Sequence, residues 1–170
     1  IECDDVTERW YKYDEICDDL IKYLKDNNFT HIELMPLSEY PLDASWGYQV
    51  SGYFSTTSRY GNCKQLMHLV NKCHNNNIGV ILDYVPVHFV GNDYSLYRFD
   101  GTPMYEYQFD EVSKSVWGSC NFDFFNKIVR SFLLSAAVFW LDVFHFDGLR
   151  LDAISSALNW QGNSDRGINV

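Results

Sequence analysis

One stretch decides how this chain folds: Phe146-Asp147-Gly148-Leu149-Arg150-Leu151-Asp152-Ala153. It predicts a short strand followed at once by the start of a helix. Because successive side chains of a strand point to opposite faces, Arg150 and Asp152 share one face, and Leu149 and Leu151 share the other. Arg150 is then close enough to hold the Asp152 carboxylate ionised and oriented. By itself this pair indicates either a salt bridge at a strand end or a functional charge pair.

The chain before this stretch alternates between helical and strand patterns. Apolar residues at helical spacing predict three helices, from about Tyr13 to a stop at Asn27-Asn28, near Lys64 to Asn75, and from Asn126 to about Phe144. Two apolar runs predict buried strands before the one at Gly148, His31–Pro36 and Gly79–Pro86. Near-continuous apolar strands separated by helices imply a parallel α/β sheet. No internal repeat or linker divides the chain, so we expect one domain over residues 1–170.

Two further patterns predict local structure. In the third helix, helical spacing predicts a buried face made of Ile128, Phe132, Ala136, Phe139 and Val143. Residues 37–62 and 87–125 are predicted to be loops. The second is too long for a simple connector, and its aromatic residues favour an ordered insertion with a function.

Composition limits the possible functions. The 170 residues are 46% hydrophobic and 17% aromatic, which suffices for one buried core, and the net charge of -10 disfavours nucleic acid and anionic membranes as partners. No apolar run approaches about 20 residues and no signal peptide is present, so we expect neither membrane insertion nor export. The five cysteines include no C-x-x-C pair and indicate free thiols in a reducing, cytoplasmic compartment. The first residue, Ile1, suggests a piece of a longer protein.

Polar residues concentrate where the predicted strands end. Asp83, Arg150 and Asp152 lie at carboxyl ends of strands, and His88 follows Asp83 closely. Barrels and open α/β sheets both place their sites at this edge. A carboxylate fixed by a guanidinium suits a nucleophile. The alternative is that Asp83 and Arg150 form a buried structural pair, and Glu33, on an earlier strand, is either an acid partner or a structural acid.

Aromatic and histidine residues leave other questions open. The abundance of Tyr and Trp fits a neutral, hydroxyl-rich ligand, because their faces stack on the apolar surfaces of sugars. Each of Trp46, Tyr48 and Trp117 could form such a surface or belong to the core. His68 and His74 are six residues apart and do not share a helix face, so they predict no metal site, and no phosphate-binding or dinucleotide motif occurs.

Several of these motifs resemble a known family. Two stretches are similar to the first two signature regions of the α-amylase superfamily of glycoside hydrolases and transglycosylases, Asp83-Tyr84-Val85-Pro86-Val87-His88-Phe89 and Asp147-Gly148-Leu149-Arg150-Leu151-Asp152-Ala153. Within it, the chain looks like a bacterial-type 1,4-α-glucan branching enzyme. That narrower resemblance rests on the form of the first signature and on the stretches Phe29–Pro36, Ser45–Gln49, and Arg98–Thr102 with Tyr105-Glu106. The similarity extends from about Tyr11 to Leu158.

The resemblance implies a (β/α)8 barrel of which this chain supplies about strands two to four with their helices, since such barrels need about 250 residues. The chain would be the N-terminal part of that catalytic domain, with the insertion at 87–125. Asp152 matches the catalytic nucleophile and Arg150 the arginine that positions it. Tyr48 and His88 match residues that line the sugar subsite, and Asp83 matches the structural aspartate beneath them. Trp46 and Gln49, which flank Tyr48, are further candidate substrate-binding residues.

The resemblance also implies a reaction. The parent protein would cleave an α-1,4 glucosidic bond and transfer the released segment to a 6-hydroxyl, with retention, on an α-glucan substrate and without a cofactor. Val87 replaces an asparagine with which many relatives bind calcium, so no metal is expected, and Ala157 and Asn159 depart from the usual branching-enzyme pattern. The signature with the general-acid glutamate is absent from residues 1–170, so we expect the chain alone to be inactive. A hydrolytic α-amylase relative, a non-catalytic glucan-binding relative and, more remotely, a doubly wound phosphotransfer domain are the alternatives.

Overall fold

The computed structural model describes residues 3–4 and 9–159. Its helices are α1 (Tyr13–Asp26), α2 (Cys63–Asn75), α3 (Asp110–Ser113), α4 (Lys127–Phe144) and α5 (Ile154–Leu158). Its strands are β1 (Cys3–Asp4), β2 (Arg9–Trp10), β3 (His31–Leu34), β4 (Ser38–Glu39), β5 (Gly52–Thr56), β6 (Gly79–Tyr84), β7 (His88–Phe89), β8 (Cys120–Asn121) and β9 (Gly148–Leu151). The three long helices therefore lie where the sequence predicts them. None of the described helices is both long enough and apolar enough to cross a bilayer.

The central feature is a parallel sheet with the strand order β3-β6-β9. The predicted parallel α/β arrangement is thereby confirmed. In the register of β6 and β9, Asp83 lies opposite Arg150. Between β3 and β6, Leu34 lies opposite Leu82. Because all three strands run the same way, their carboxyl ends and the segments that follow them gather at one edge.

Helices α1 and α2 pack against each other beside this sheet. Asn62 begins α2 with a reciprocal cap: its Oδ1 accepts from the backbone N–H of Gln65 at 3.0 Å, and Gln65 Oε1 accepts from the Asn62 N–H at 2.9 Å. Asn27 caps the end of α1, and Asn28 follows with a left-handed φ of 57°. The described cysteine side chains, at positions 17, 63, 73 and 120, are free thiols, whereas the side chain of Cys3 lies outside the described residues.

The predicted buried face of α4 is confirmed only in part. Ala136 is buried and Phe132 and Phe139 are half-buried against the core, but Ile128 is 71% exposed and Val143 is also exposed. The other buried residues of α4 are Val129, Leu133, Trp140 and Phe144. Apolar residues cover most of the circumference of α4, so their spacing does not select one face. The tertiary contact that selects it is Trp140, whose Nε1 donates to the carbonyl oxygen of Tyr53 on β5 at 3.0 Å.

Strand β3 is also less buried than predicted. His31 and Glu33 are exposed, and Ile32 and Leu34 are half-buried, because β3 lies at an edge of the described sheet and pairs with β6 alone. Strand β6 occupies the centre and has Val80, Leu82, Asp83 and Tyr84 buried, as its apolar run predicts.

Both predicted loops contain regular structure. Residues 37–62 include the antiparallel pair β4–β5 and two short 3-10 helices, Asp43–Ser45 and Ser58–Tyr60. Residues 87–125 include the antiparallel pair β7–β8 and the single turn α3. Phe122 and Phe124 are buried there, whereas Phe125 is exposed. Both segments follow a strand of the sheet directly and cover its carboxyl edge.

Candidate active site

Three charged side chains meet at the carboxyl edge of the sheet. Arg150 donates from Nη1 to Oδ1 and Oδ2 of Asp83, at 2.9 and 3.0 Å, and to Oδ1 of Asp152 at 2.6 Å. The hydrogen bonds to Asp83 and then to Asp152 raise the pKa of Arg150 further above its usual range. The arginine therefore stays charged and holds both carboxylates in defined positions.

Asp152 is fixed through its backbone as well. Its N–H donates to the carbonyl oxygen of Tyr84 at 2.9 Å, which extends the pairing between β6 and β9 by one residue. The chain then turns at Ala153, which adopts a left-handed φ of 51° that non-glycine residues rarely take. The Asp152 side chain remains 22% exposed. It is thus an oriented carboxylate that a ligand can reach.

Tyr48 joins this group from the segment after β3. Its hydroxyl donates to Oδ2 of Asp83 at 2.6 Å. Burial, together with this hydrogen bond, raises the pKa of Tyr48 well above its usual range, so the phenol stays protonated. Gly47, with a φ of 94°, lets the segment pass Pro36 closely, since a Cβ there would lie 2.6 Å from the Pro36 carbonyl oxygen.

His88 lies beside the carboxylates on β7. Its Nδ1 is 2.8 Å from Oγ of Ser119, and its carbonyl oxygen accepts from the hydroxyl of Tyr53 at 2.9 Å. The Trp117 ring lies against the imidazole, with a centroid distance of 4.8 Å. Burial lowers the pKa of His88 to about 4, against the opposing influence of Asp152, so the imidazole is neutral at physiological pH.

These residues surround an open cleft of about 470 Å³, lined by Ser45, Tyr48, Gln49, His88, Trp117, Asp152 and Ala153. Gln49 closes one side, where its Nε2 donates to the Trp117 carbonyl oxygen at 3.4 Å. A cleft with an oriented carboxylate at its floor, a tyrosine and a neutral histidine beside it and an exposed indole at its rim can hold a neutral polyhydroxy ligand.

The structure brings together all but one of the predicted site residues. Asp152, Tyr48, His88 and Gln49 line the cleft, and Asp83 and Arg150 lie beneath it. Trp46 does not join them: it is 68% exposed and lines a separate cavity of about 650 Å³ between α1 and β3, together with Glu33. The core alternative is wrong for Trp46 and Trp117, both of which are exposed.

Sequence reasoning missed Ser119 and Ser115, which lie in the insertion. Their signal is weak, since two serines four residues apart around a Trp-Gly pair are typical of many turns. Among the described residues, no three His, Cys, Asp or Glu side chains are grouped so as to hold a metal ion.

Comparison with known proteins assigns the chain to a family. Residues 15–98 match the family model described as the catalytic domain of alpha amylase. The chain is 51% identical over 156 residues to the 1,4-alpha-glucan branching enzyme of Bacillus caldolyticus, a match that covers 91% of this chain and 23% of that protein. The chain belongs to the α-amylase family. The resemblance drawn from the motifs is thereby confirmed.

Two further branching enzymes show a similar degree of sequence identity to this chain. The branching enzyme of Fusobacterium nucleatum is 51% identical over 89% of this chain and 25% of its own, and that of Bacillus cereus strain Q1 is 52% identical over 88% of this chain and 23% of its own. The chain therefore spans about a quarter of the length of these curated relatives.

Solved structures of two α-amylases share the fold of this chain. An Anoxybacillus α-amylase superposes with a TM-score of 0.74 at 24% identity, over 88% of this chain and 36% of that one. The Geobacillus thermoleovorans α-amylase superposes with a TM-score of 0.69 at 24% identity, over 83% and 34%. The three-stranded sheet is thus part of an α-amylase-type barrel.

Proposed function

We propose that residues 1–170 form the N-terminal part of the catalytic (β/α)8 barrel of a 1,4-α-glucan branching enzyme. Such an enzyme would cleave an α-1,4 glucosidic bond in a glucan and transfer the released segment to a 6-hydroxyl, which creates an α-1,6 branch. The similarity to branching enzymes supports the choice of reaction. The observation that carries the proposal is the Asp152 carboxylate, oriented by Arg150 at 2.6 Å and open to a cleft.

In this mechanism, Asp152 attacks the anomeric carbon as the bond to the leaving oxygen breaks. A glutamate, expected in a signature that residues 1–170 do not contain, gives its proton to that oxygen. The 6-hydroxyl of an acceptor chain then attacks the same carbon, breaks the ester to Asp152 and returns its proton to the glutamate. Two displacements give retention of configuration. No cofactor enters either step.

The surrounding residues have roles that follow from their positions. Arg150 directs the nucleophile into the cleft, and buried Asp83 in turn anchors Arg150. Tyr48, His88 and Gln49 would contact hydroxyls of the glucose unit at the scissile bond, and Trp117 offers an apolar ring face to it. Trp46 would meet the glucan only outside this cleft. We also propose a cytoplasmic location, in keeping with the free thiols.

The test uses the full-length protein, its Asp152→Asn variant and Asp93→Asn as a matched control, since Asp93 is exposed in the insertion. Amylose is the substrate, and the absorbance of its iodine complex is followed together with the number of reducing ends. A branching enzyme lowers the absorbance while reducing ends stay nearly constant, and Asp152→Asn does neither.

Other outcomes identify the alternatives. If reducing ends increase in step with the fall in absorbance, the protein is a hydrolytic relative. If the wild type changes neither quantity but is retained on an amylose column, it is a glucan-binding relative. If Asp152→Asn keeps the activity of the wild type, Asp152 is not the nucleophile.

A further inference from the structure

A turn in the insertion holds the histidine of the cleft through two serine hydroxyls. Ser115 Oγ accepts from the backbone N–H groups of Trp117 and Ser119, at 3.2 and 3.1 Å. It also lies 2.6 Å from Ser119 Oγ, which in turn lies 2.8 Å from His88 Nδ1. We call residues 115–119 the serine turn.

The direction of these hydrogen bonds follows from counting donors and acceptors. A hydroxyl has one hydrogen and two lone pairs. Both lone pairs of Ser115 Oγ accept backbone N–H groups, so its hydrogen is donated to Ser119 Oγ. Ser119, having accepted that hydrogen, donates its own to His88 Nδ1. Nδ1 is therefore the unprotonated nitrogen of the imidazole.

Burial protects these hydrogen bonds from competition with water. Ser119 is 2% and His88 is 3% exposed, so water does not readily replace either partner. If His88 carried its proton on Nδ1, Ser119 Oγ would accept from both Nδ1 and Ser115, one hydrogen on each lone pair. The Ser119 hydrogen would then have no acceptor among the described residues, which is costly for a buried hydroxyl.

We propose that Ser115 and Ser119 are positioning residues that fix His88 in the neutral tautomer protonated on Nε2. The cleft then meets an N–H donor, which selects ligands that present an acceptor oxygen at this point, as a sugar hydroxyl does. The opposite tautomer would offer only a lone pair. The ligand class rests on the proposed function, whereas the tautomer rests on the serine turn alone.

The test is nitrogen NMR of the full-length protein labelled with [15N]histidine, with the His88 signals assigned by comparison with His88→Asn. The wild type shows a pyridine-type Nδ1 and a pyrrole-type Nε2. In Ser119→Ala both shifts move toward an average, because the donor to Nδ1 is lost. Ser119→Thr keeps a hydroxyl and retains the wild-type pattern. Ser95→Ala removes a hydroxyl of the same insertion that bonds only Asn92 among the described residues, and it also leaves the pattern unchanged.

Ser115→Ala provides a second variant should Ser119→Ala fold poorly. It removes the hydroxyl that donates to Ser119, so Ser119 is no longer held as the donor to Nδ1 and a share of the other tautomer becomes visible. In the amylose assay, Ser119→Ala lowers kcat/KM about tenfold, as expected when one hydrogen bond to the substrate is misdirected, and Ser119→Thr restores it.

A pyrrole-type Nδ1 in the wild type, or unchanged His88 shifts in both alanine variants, overturns the proposal. The NMR shifts of the wild type and of the alanine variants do not depend on branching activity. They therefore decide the tautomer even if the full-length protein proves to be a hydrolase.

Discussion

Arg150 Nη1 lies within 3.0 Å of both carboxylate oxygens of Asp83, the residue directly opposite it on the neighbouring strand. The Asp83 side chain is 3% exposed, whereas the Arg150 side chain is 44% exposed. The same nitrogen holds Asp152. A buried carboxylate thus anchors the guanidinium that orients the candidate nucleophile.

Removal of this arginine should destabilise the fold through Asp83. In Arg150→Met the buried carboxylate keeps the hydrogen bond from Tyr48 but loses its countercharge, and we expect the free energy of unfolding to fall by about 2 kcal/mol. The double variant Asp83→Asn/Arg150→Met should recover most of that loss. Urea unfolding measures the free energy of unfolding of the single and the double variant, with Arg98→Met as a control for a largely exposed arginine. A double variant no more stable than Arg150→Met would contradict this interpretation.

Arg59 should hold the segment that carries Tyr48. Its Nη1 donates to Glu39 Oε1 at 3.0 Å and to the Tyr40 carbonyl oxygen at 2.7 Å, and its guanidinium lies 3.9 Å from the centre of the Tyr40 ring. Lysine lacks the planar fork that makes these contacts together. In Arg59→Lys we expect amide hydrogen exchange across residues 40–50 to become about tenfold faster.

Mass spectrometry of the deuterated peptides measures that change. Arg98→Lys serves as the control and should leave residues 40–50 at the wild-type rate. If Arg59→Lys also leaves them unchanged, the segment is held by other contacts.

His88 should make stability depend on pH. Burial lowers its pKa in the folded protein to about 4, below the ordinary value of about 6.5. Between these values the unfolded chain binds more protons, so this contribution is fully present above about pH 6.5 and is lost as the pH falls towards 4. It amounts to something on the order of 3 kcal/mol.

Urea unfolding of the wild type and of His88→Asn from about pH 7 to pH 4.5 measures this contribution. The wild type should lose more stability than the variant over that interval, because asparagine does not titrate. Parallel curves for the two proteins would show that His88 is protonated equally in the folded and unfolded states.

The orientation of α4 can be tested with adjacent residues. Val129 is fully buried and Ile128 is 71% exposed, although helical spacing places Ile128 on the buried face. Val129→Ala should lower the free energy of unfolding by about 2 kcal/mol through lost burial and a cavity. Ile128→Ala should change it by less than about 0.5 kcal/mol. Chemical unfolding of the two variants decides which face is buried, and a larger loss for Ile128→Ala would favour the predicted face.

Much of the candidate site could be predicted from local sequence patterns. Asp83 and Arg150 lie at strand ends, and parallel strands bring their carboxyl ends together, so the meeting of Asp83, Arg150 and Asp152 could be expected before the structure was known. Trp46 shows the limit of that reasoning. It is two residues from Tyr48, yet its left-handed backbone turns it toward a different cavity. The contacts of Ser115 and Ser119 with the site were not predicted, because a pair of serines is not a recognisable sequence motif.

The amino-acid sequence by itself determined the alternation of helices and strands, their parallel arrangement and the charged residues at the strand ends. These features depend on the periodicity of apolar side chains and on residues that stop an element, which act over a few neighbouring positions. Only the tertiary structure decided which face of α4 is buried, that β3 is partly exposed, and that Ser119 contacts His88. Those outcomes depend on contacts between residues far apart in the chain, such as Trp140 with Tyr53, which local periodicity does not encode.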